Sequence, residues 1–561
     1  MIVLFALLPL CAMAQMPWNT DATYPKHETR AVWVTTLSGL DWPKTKATDE
    51  AGRKRQQEEL CTLLDQLQAA NINTVLFQVR IRGSVVYPSN YEPWDAALTG
   101  TYDRHPGYDP LQFAIEESHR RGMELHAWIV SVPAFKPETA RKMGRRSLLV
   151  SNPQLLKKHG DMYYLDPAQA QSADYLAGIC REIVTRYDVD GIHLDYIRYP
   201  EQANTFPDAL SFARQGGRKS KAQWRRDNIT RMVAAVSRAV RKEKPWVKMS
   251  CSPVGKFRDT KRQSAYGWNS FDAVYQDCKA WLREGWMDML FPMMYFDGRH
   301  FYPFVADWKE DVNRRPVIPG LGIYFLSPEE KNWPLSVITA QLNTVRSERL
   351  GGEAFFRSKF LTDNVKGLYS HLKNSFYAYP ALPTPTPWLD SKAPTAPQNA
   401  RQEMRGGLCW LTWDAATDNV PSGITYNVYA SRTYPVDVND ARYLVATRLR
   451  EPRYAYNPLE VRYLAITSMD RAGNESWPYC LGGVEDLVIS PSPALWVQNG
   501  MLSLPKYEGV EFFLITDLSG HHLLRGPWKE TVNIRTLQPG VYRLRTLQRK
   551  GVSRSVGVFI K

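Results

Sequence analysis

The feature that most constrains this chain is an alternation, repeated eight times between residues 28 and about 360. A short run rich in Val, Ile and aromatic residues is followed each time by a longer segment with helical period. The runs lie at 29–37, 73–79, 124–130, 191–196, 247–251, 288–294, 317–324 and 352–356. Several are apolar almost throughout, as strands covered on both faces must be. Between them, Leu60, Leu63, Leu64 and Leu67 follow the i, i+3, i+4, i+7 spacing, and Ile229, Met232, Val233, Val236 and Val240 do the same, so each set predicts one buried helical stripe. Asp109-Pro110 opens a further helix as N-cap and first-turn proline, and Gly122 closes it. Eight βα repeats close most simply as a (β/α)8 TIM barrel, and about 330 residues fits that fold's range. An open doubly wound sheet is disfavoured, because no GxGxxG follows the first run.

The remainder of the 561 residues divides into three pieces. A proline-rich linker, 381–397, separates the 28–380 barrel from short alternating strands at 398–490 and a last β-rich segment at 491–561. The fold class is therefore α/β: a TIM barrel followed by two small all-β sandwich-type domains. CWLTWDAA, ITYNVYAS and RYLAITSMDRAGNES resemble a fibronectin type III domain, and FFLITDLSGHHLL with LQPGVYRLRTLQRKGVSRSVGVFIK resembles a type IX secretion sorting domain. Both β domains are expected to be accessory, so that a chain ending at Pro387 keeps its barrel activity.

The first residues, MIVLFALLPLCAMAQ, form an apolar run followed by Ala12-Met13-Ala14, the small-x-small pattern of a signal-peptidase site. Residues 1–14 are read as a signal peptide and the protein as exported to the periplasm, the outer-membrane surface or the medium. Cys11 raises a lipoprotein alternative, which the bulky Leu10 disfavours. No later run approaches the roughly 20 apolar residues of a membrane span, so the mature chain carries no transmembrane segment. Net charge is +14, yet the basic residues are scattered without the aromatic interleaving of a nucleic-acid surface. No nucleic-acid partner is expected. Seven Cys make no CxxC pair and no Cys/His cluster with zinc spacing, so neither a metal nor another cofactor is expected and the thiols read as mostly free and buried.

In a barrel the chemistry sits at the carboxyl ends of the strands. The leading segment is DGIHLDYIRYP at the fourth run, where strand alternation puts His193 and Asp195 on one face with Asp195 beside the strand end. Two ionisable groups pointing inward are costly unless paired, which marks a site; the alternative is that Asp195 is a structural partner of Arg198 or His193. At other strand ends stand Gln78 and Arg80, His126 and Trp128, and Tyr295. Sugar hydroxyls suit such amide and guanidinium groups, and sugar C–H faces suit aromatic rings, although Trp128 serves equally as barrel packing.

ETRAVWVTTLSGLDWP, NINTVLFQVRIRGSVVYPSNYEPW, PGYDPLQFAIEESHRRGMELHAWI, YLDPAQAQSADYL, YDVDGIHLDYIRYP and WLREGWMDMLFPMMYFD, in this order over about 60% of the chain, resemble the glycosyl hydrolase-like 10 family of bacterial envelope barrels. The resemblance implies a (β/α)8 glycosidase, with peptidoglycan glycan strands as a substrate of some members. The chemistry of guanidinium groups also suits Arg80 and Arg198 to a carboxylate-bearing sugar such as a muramic acid unit, which fits the net positive charge. Three positions depart from the family pattern: Ser84 where an acid often follows QVRxxG, Ile129 to Pro133 in place of an Asn-Pro-Tyr-Arg loop, and Tyr196 where a second acid often stands. Glycoside cleavage usually needs two carboxyl groups. Asp195 is the first candidate and Asp297, in MMYFDGR, the second, unless Asp297 only caps its loop before Gly298. Asp41 and Glu201 rank lower, with Asp41 kept among the binding residues, and Glu353 stands at the wrong end of its strand. An N-acetyl sugar supplying its own nucleophile would need Asp195 alone. The reading is thus an exported hydrolase of an amino-sugar polysaccharide, with a non-catalytic carbohydrate-binding barrel as the alternative. A metal-dependent hydrolase ranks last, because the ten His are dispersed. Oligomeric state is not read from the sequence.

Overall fold

The computed structural model describes residues 23–261, 266–405, 408–420, 423–457, 463–481, 495–504, 510–517, 522–547 and 553–560. The expected signal peptide and Cys11 lie outside the described residues. The strands of the first unit are β1 (Thr29–Val34), β2 (Thr74–Arg80), β3 (Glu124–Val130), β4 (Leu156–His159), β5 (Met162–Leu165), β6 (Gly191–Asp195), β7 (Lys248–Ser252), β8 (Met289–Leu290), β9 (Gly320–Leu321) and β10 (Gly352–Phe355). All but β4 and β5 form one parallel sheet in the order β8-β7-β6-β3-β2-β1-β10-β9. Parallel bridges Leu290–Val317 and Met293–Gly320 join its two edges and close the barrel. The last staves are short because Pro292 and Pro319 remove ladder donors from them. The antiparallel hairpin β4–β5 is inserted after β3 and was not expected from the alternation.

The helical stripes pack outside the barrel as their spacing predicts. Asp49 caps the helix Glu50–Ala69, which buries Leu60, Leu64 and Leu67 and leaves Leu63 half-buried. Asp109 caps Pro110–Arg120, and Lys221–Glu243 buries Ile229, Met232, Val233, Val236 and Val240 completely. Inside the barrel, Ala31, Trp33, Leu76, Trp128, Met289, Phe291, Ile318 and Ala354 form a separate apolar core. Side chains therefore fill the interior in layers.

The linker is pinned along its length. Leu382 bridges His27, Thr384 bonds Thr29 and Gly351, Thr386 N–H donates to Ala472, and the Trp388 indole donates to Asp288. Next come β11 (Gln398–Arg405), β12 (Leu408–Asp414), β13 (Thr425–Ser431), β14 (Leu444–Leu449), β15 (Arg453–Tyr456), β16 (Tyr463–Met469) and β17 (Tyr479–Leu481). They make antiparallel sheets β11-β12-β15 and β14-β13-β16-β17 over a shared core of Leu411, Trp413, Val428 and Ile466. A second pair of sheets follows, from β18 (Trp496–Gln498), β19 (Met501–Ser503), β20 (Phe512–Asp517), β21 (His522–Pro527), β22 (Thr531–Asn533), β23 (Val541–Leu547) and β24 (Ser553–Ile560). Leu502, Ile515, Val532 and Leu544 fill the space between them.

The first β domain is joined to the amino-terminal end of the barrel by charge. Arg448, 7% exposed, reaches Glu124 at 2.9 Å and Asp190 at 3.0 Å, while Lys248 reaches Glu124 at 2.7 Å and His119 reaches Asp190 at 2.7 Å. Gly122, at φ +72°, lets the Thr447 carbonyl approach where a Cβ would meet it at 2.7 Å. This joint changes the expectation for a chain ending at Pro387, because removing one partner of a buried ion pair destabilises by about 3–5 kcal/mol before new hydration is credited. Calorimetry of that truncated chain should show the barrel melting roughly 5 °C or more below the full-length barrel transition. An unchanged transition would mean that the joint contributes nothing.

Candidate functional site

Asp195 ends β6, with Val130 and Ser252 as its register partners on β3 and β7. One carboxyl oxygen accepts the Trp128 indole N–H at 3.1 Å, and the other accepts the Ser252 hydroxyl at 2.7 Å and the Tyr196 amide at 2.8 Å. Only 5% of the residue is exposed. Burial raises its pKa above the usual carboxylate range, and Arg198, Ser252, the Tyr196 amide and Trp128 each pull it back by favouring the charged form. The result is a carboxyl group held at the strand end by donors from three elements, with its proton affinity raised by burial.

One layer lower, the Trp33 indole donates to His193 Nε2 at 3.2 Å, and His193 Nδ1 faces the Ser250 hydroxyl at 3.0 Å. An accepting Nε2 leaves the proton on Nδ1, which donates to Ser250. Burial holds the His193 pKa well below its ordinary value, with His126 adding to the effect, so the ring is neutral. Above Asp195, Tyr295 stacks on Phe356 with centroids 5.4 Å apart and meets Tyr324 edge-on at 5.8 Å. Burial pushes the Tyr295 hydroxyl far up, and the Asp195 charge adds to that. Tyr196 adopts φ +50°, uncommon for a bulky residue and typical of strained functional positions. The Arg198 guanidinium lies 4.3 Å from the Tyr196 ring and 5.5 Å from that of Trp268, and its buried Nη1 has no hydrogen-bond partner among the described residues. Tyr196 and Arg198 open onto a pocket of about 270 Å³ shared with Arg82, His159, Tyr164 and Glu201. A larger cleft of about 680 Å³ lies at the opposite end, against β14, where a barrel's chemistry is not found.

The sequence profile of the glycosyl hydrolase-like 10 family matches residues 28–320, just over half of the chain. The chain belongs to the glycosyl hydrolase-like 10 family. It is 29% identical over 482 residues to the glycosyl hydrolase YngK of Bacillus subtilis, covering 80% of this chain and 92% of that protein. It is 32% identical over 366 residues to the glycosyl hydrolase DigH of Escherichia coli, covering 59% and 83%. Among solved structures, the PgaB (BpsB) glycoside hydrolase domain of Bordetella bronchiseptica aligns with 62% of this chain and 98% of its own, at 12% identity and a TM-score of 0.43. As a member of this family the chain is a glycoside hydrolase.

Of the residues named from sequence, Asp195, Trp128, Arg198 and Tyr295 come together in this glycosidase barrel. The others are used elsewhere. Arg80 was expected to face the cleft, but a register shift between Gln78 and Arg80 re-aims it toward the helix layer. There it pairs with Glu92 at 2.7 Å, donates to Ser131 O at 3.0 Å and is fully buried, so it holds no sugar. Gln78 Oε1 accepts from Thr35 Oγ1 and the Thr36 and Leu37 amides at 2.8–2.9 Å, fastening the first βα loop. Asp41 is ion-paired to Arg357 and accepts the Thr35 amide at 2.9 Å, which ties that loop to the one after β10. His126 is buried low in the barrel beside Glu124, at 3.2 Å, and His193 is sealed in the middle layer; neither reaches the mouth. Asp297 is exposed on the loop after β8 and makes no side-chain cap. Glu353 is structural, as read: it accepts from Tyr377 at the far end, where burial and Glu28 raise its pKa to about 8.

Sequence reasoning missed Ser252, Tyr196 and Arg82. Ser252 was within reach, since the strand-end rule applied to β7 selects it. The family departure at Tyr196 marked that position without giving it a role. Deleting the Ser252 hydroxyl removes a donor to the charged form of Asp195. In Ser252→Ala, the limb of the pH–rate profile that Asp195 controls should therefore move to higher pH; a limb that stays or moves lower would separate Ser252 from the titration.

Proposed function

We propose that this glycosidase is exported and cleaves an amino-sugar-containing envelope polysaccharide, the glycan strands of peptidoglycan, with Asp195 as the acid/base. The single observation that carries the reading is the environment of Asp195: a carboxyl group at the C-terminal mouth whose burial favours the protonated form a leaving-group acid requires. Arg198, whose buried Nη1 is unpartnered among the described residues, and Tyr196, Tyr295 and Trp268 supply the donor and ring faces that a sugar bearing acetamido or carboxylate groups would use. The apolar amino terminus and its Ala-x-Ala pattern support export.

Cleavage proceeds in this reading with one protein acid. Among the described residues that bear most on Asp195, which are Arg198, Ser252, Tyr196 and Trp128, none is a carboxylate, and Asp297 is exposed at the rim. The Asp195 hydroxyl donates its proton to the glycosidic oxygen as the C1–O bond breaks, and the acetamido carbonyl oxygen of the same sugar bonds to C1. Water then opens the cyclic intermediate, returning a proton to Asp195.

Purified Asp195→Asn protein should lose roughly 10²- to 10⁴-fold in reducing-end release from glycan strands while still binding them. Asp297→Asn should stay within about tenfold of wild type, and chemically de-N-acetylated strands should resist cleavage. Equal loss in both variants, with de-N-acetylated strands cut normally, would replace this mechanism by a two-carboxylate one.

A further inference from the structure

The side of the barrel that carries Asp195 is polar from base to mouth. At the mouth, β3, β6 and β7 contribute Trp128, Asp195 and Ser252, which are bonded to one another. At the base, β3 and β7 begin with Glu124 and Lys248, and Asp190 immediately precedes β6. Asp190 stitches them together: its carboxylate accepts the Leu125 amide at 2.9 Å, its amide donates to Leu125 O, and its carbonyl accepts the Lys248 amide, each at 3.0 Å. Within the barrel Glu124 has Lys248 and His126 as partners and Asp190 has His119; from outside it Arg471 approaches Asp190 at 3.9 Å, and the fork that joins the two acids comes from outside as well.

That fork is Arg448 of β14, and the β domain is shaped to deliver it. Register partners run Tyr426–Leu449 and then Val428–Ala446, so β14 carries one residue more than β13 at this point. Such a bulge re-aims a side chain. Arg448 itself sits at φ +53°, a conformation a non-glycine residue holds only when its surroundings enforce it, and its amide is fixed by Asn427 Oδ1 at 3.0 Å. The guanidinium then spans Glu124 with one nitrogen and Asp190 with the other. Planar bidentate bridging of this kind locks geometry as well as charge.

We propose that Arg448 is a positioning residue for the glycosidase: by clamping Glu124 to Asp190 it fixes β3 and β6 in register with β7, and so holds the donors around Asp195 in place. The β domain is thus part of the catalytic architecture and not a detachable accessory. The inference rests on Asp195 being the centre of the site, though not on the identity of the substrate. Loosening the base lets Trp128 and Ser252 drift from the carboxylate, which weakens the charged form and moves the Asp195 titration to higher pH. The direction is the same whether Asp195 serves as acid or as base. The other charged and titratable groups facing Asp195 are Arg198 and Tyr196 on its own loop, Tyr295 after β8 and Cys251 on β7, and Arg448 is in contact with none of them.

The test is a pH titration of full-length protein, followed through the Trp128 indole N–H resonance in ¹⁵N-tryptophan-labelled samples; Asp195→Asn identifies the Asp195-dependent part and no substrate is needed. Arg448→Met should move that titration to higher pH and lower kcat on glycan strands about tenfold or more, with KM within about twofold. Arg448→Lys should recover part of both, and Arg453→Ala, an exposed change on β15 of the facing sheet, should alter neither. Should Arg448→Met fail to fold, Arg448→Lys alone decides, since it keeps the charge and loses the fork. A wild-type titration in a folded Arg448 variant would overturn the proposal, whether or not its melting temperature falls. If the titration shifts as expected while no glycan is cleaved by any form, the substrate reading fails and the positioning role stands.

Discussion

Every ionisable group that points into a closed parallel barrel must find a partner, because water does not reach it and an unpartnered charge there costs several kcal/mol. In this protein that constraint falls almost entirely on one side of the barrel. Glu124, His126, Lys248 and Asp190 low in the barrel, His193 and Ser250 in the middle, and Trp128, Asp195 and Ser252 at the mouth form a polar wall facing the apolar layer of Ala31, Leu76, Phe291 and Ile318. Each layer fixes the next through strand register. The neutral His193, pinned between Trp33 and Ser250, is the middle link, and it keeps charge out of the core directly beneath Asp195.

The candidate site sits at the mouth end of this wall. Burial favours the protonated form of Asp195, and Arg198 together with three donors pulls back toward the charged form without exposing the group. The loops that frame the mouth are themselves fastened below it. Gln78 and Asp41 secure the first loop, Arg80 and Glu92 the second, and the hairpin β4–β5 brings Tyr164 to the pocket. Polar residues that resemble ligands in the sequence are thus spent on rigidity, which is what a preorganised site requires.

The barrel was legible because its signal is local: runs covered on both faces and stripes of 3.6 period specify their elements without reference to distant residues. Asp195 was legible for the same reason, since the period of two along GIHLDY and its position at a strand end need no coordinates. Depth and direction were not. One register shift re-aimed Arg80, and nothing in the run NTVLFQVR announces it. Alternation put His193 on the same inner face as Asp195, but says nothing of which layer is open to solvent. The clamp by Arg448 joins residues 324 and 258 positions apart, a relation that no window along one chain contains.

The central claim is that the Asp195 carboxyl group meets the scissile bond. A crystal structure of Asp195→Asn soaked with an N-acetylated glycan oligosaccharide tests this most directly. The account predicts a glycosidic oxygen within hydrogen-bond reach of the side chain at 195, about 2.6–3.2 Å away, with the sugars running past Tyr196, Arg198 and Tyr295. An oligosaccharide confined to the space beside His159 and Glu201, or lodged in the cleft against β14, with the side chain at 195 still enclosed, would contradict it.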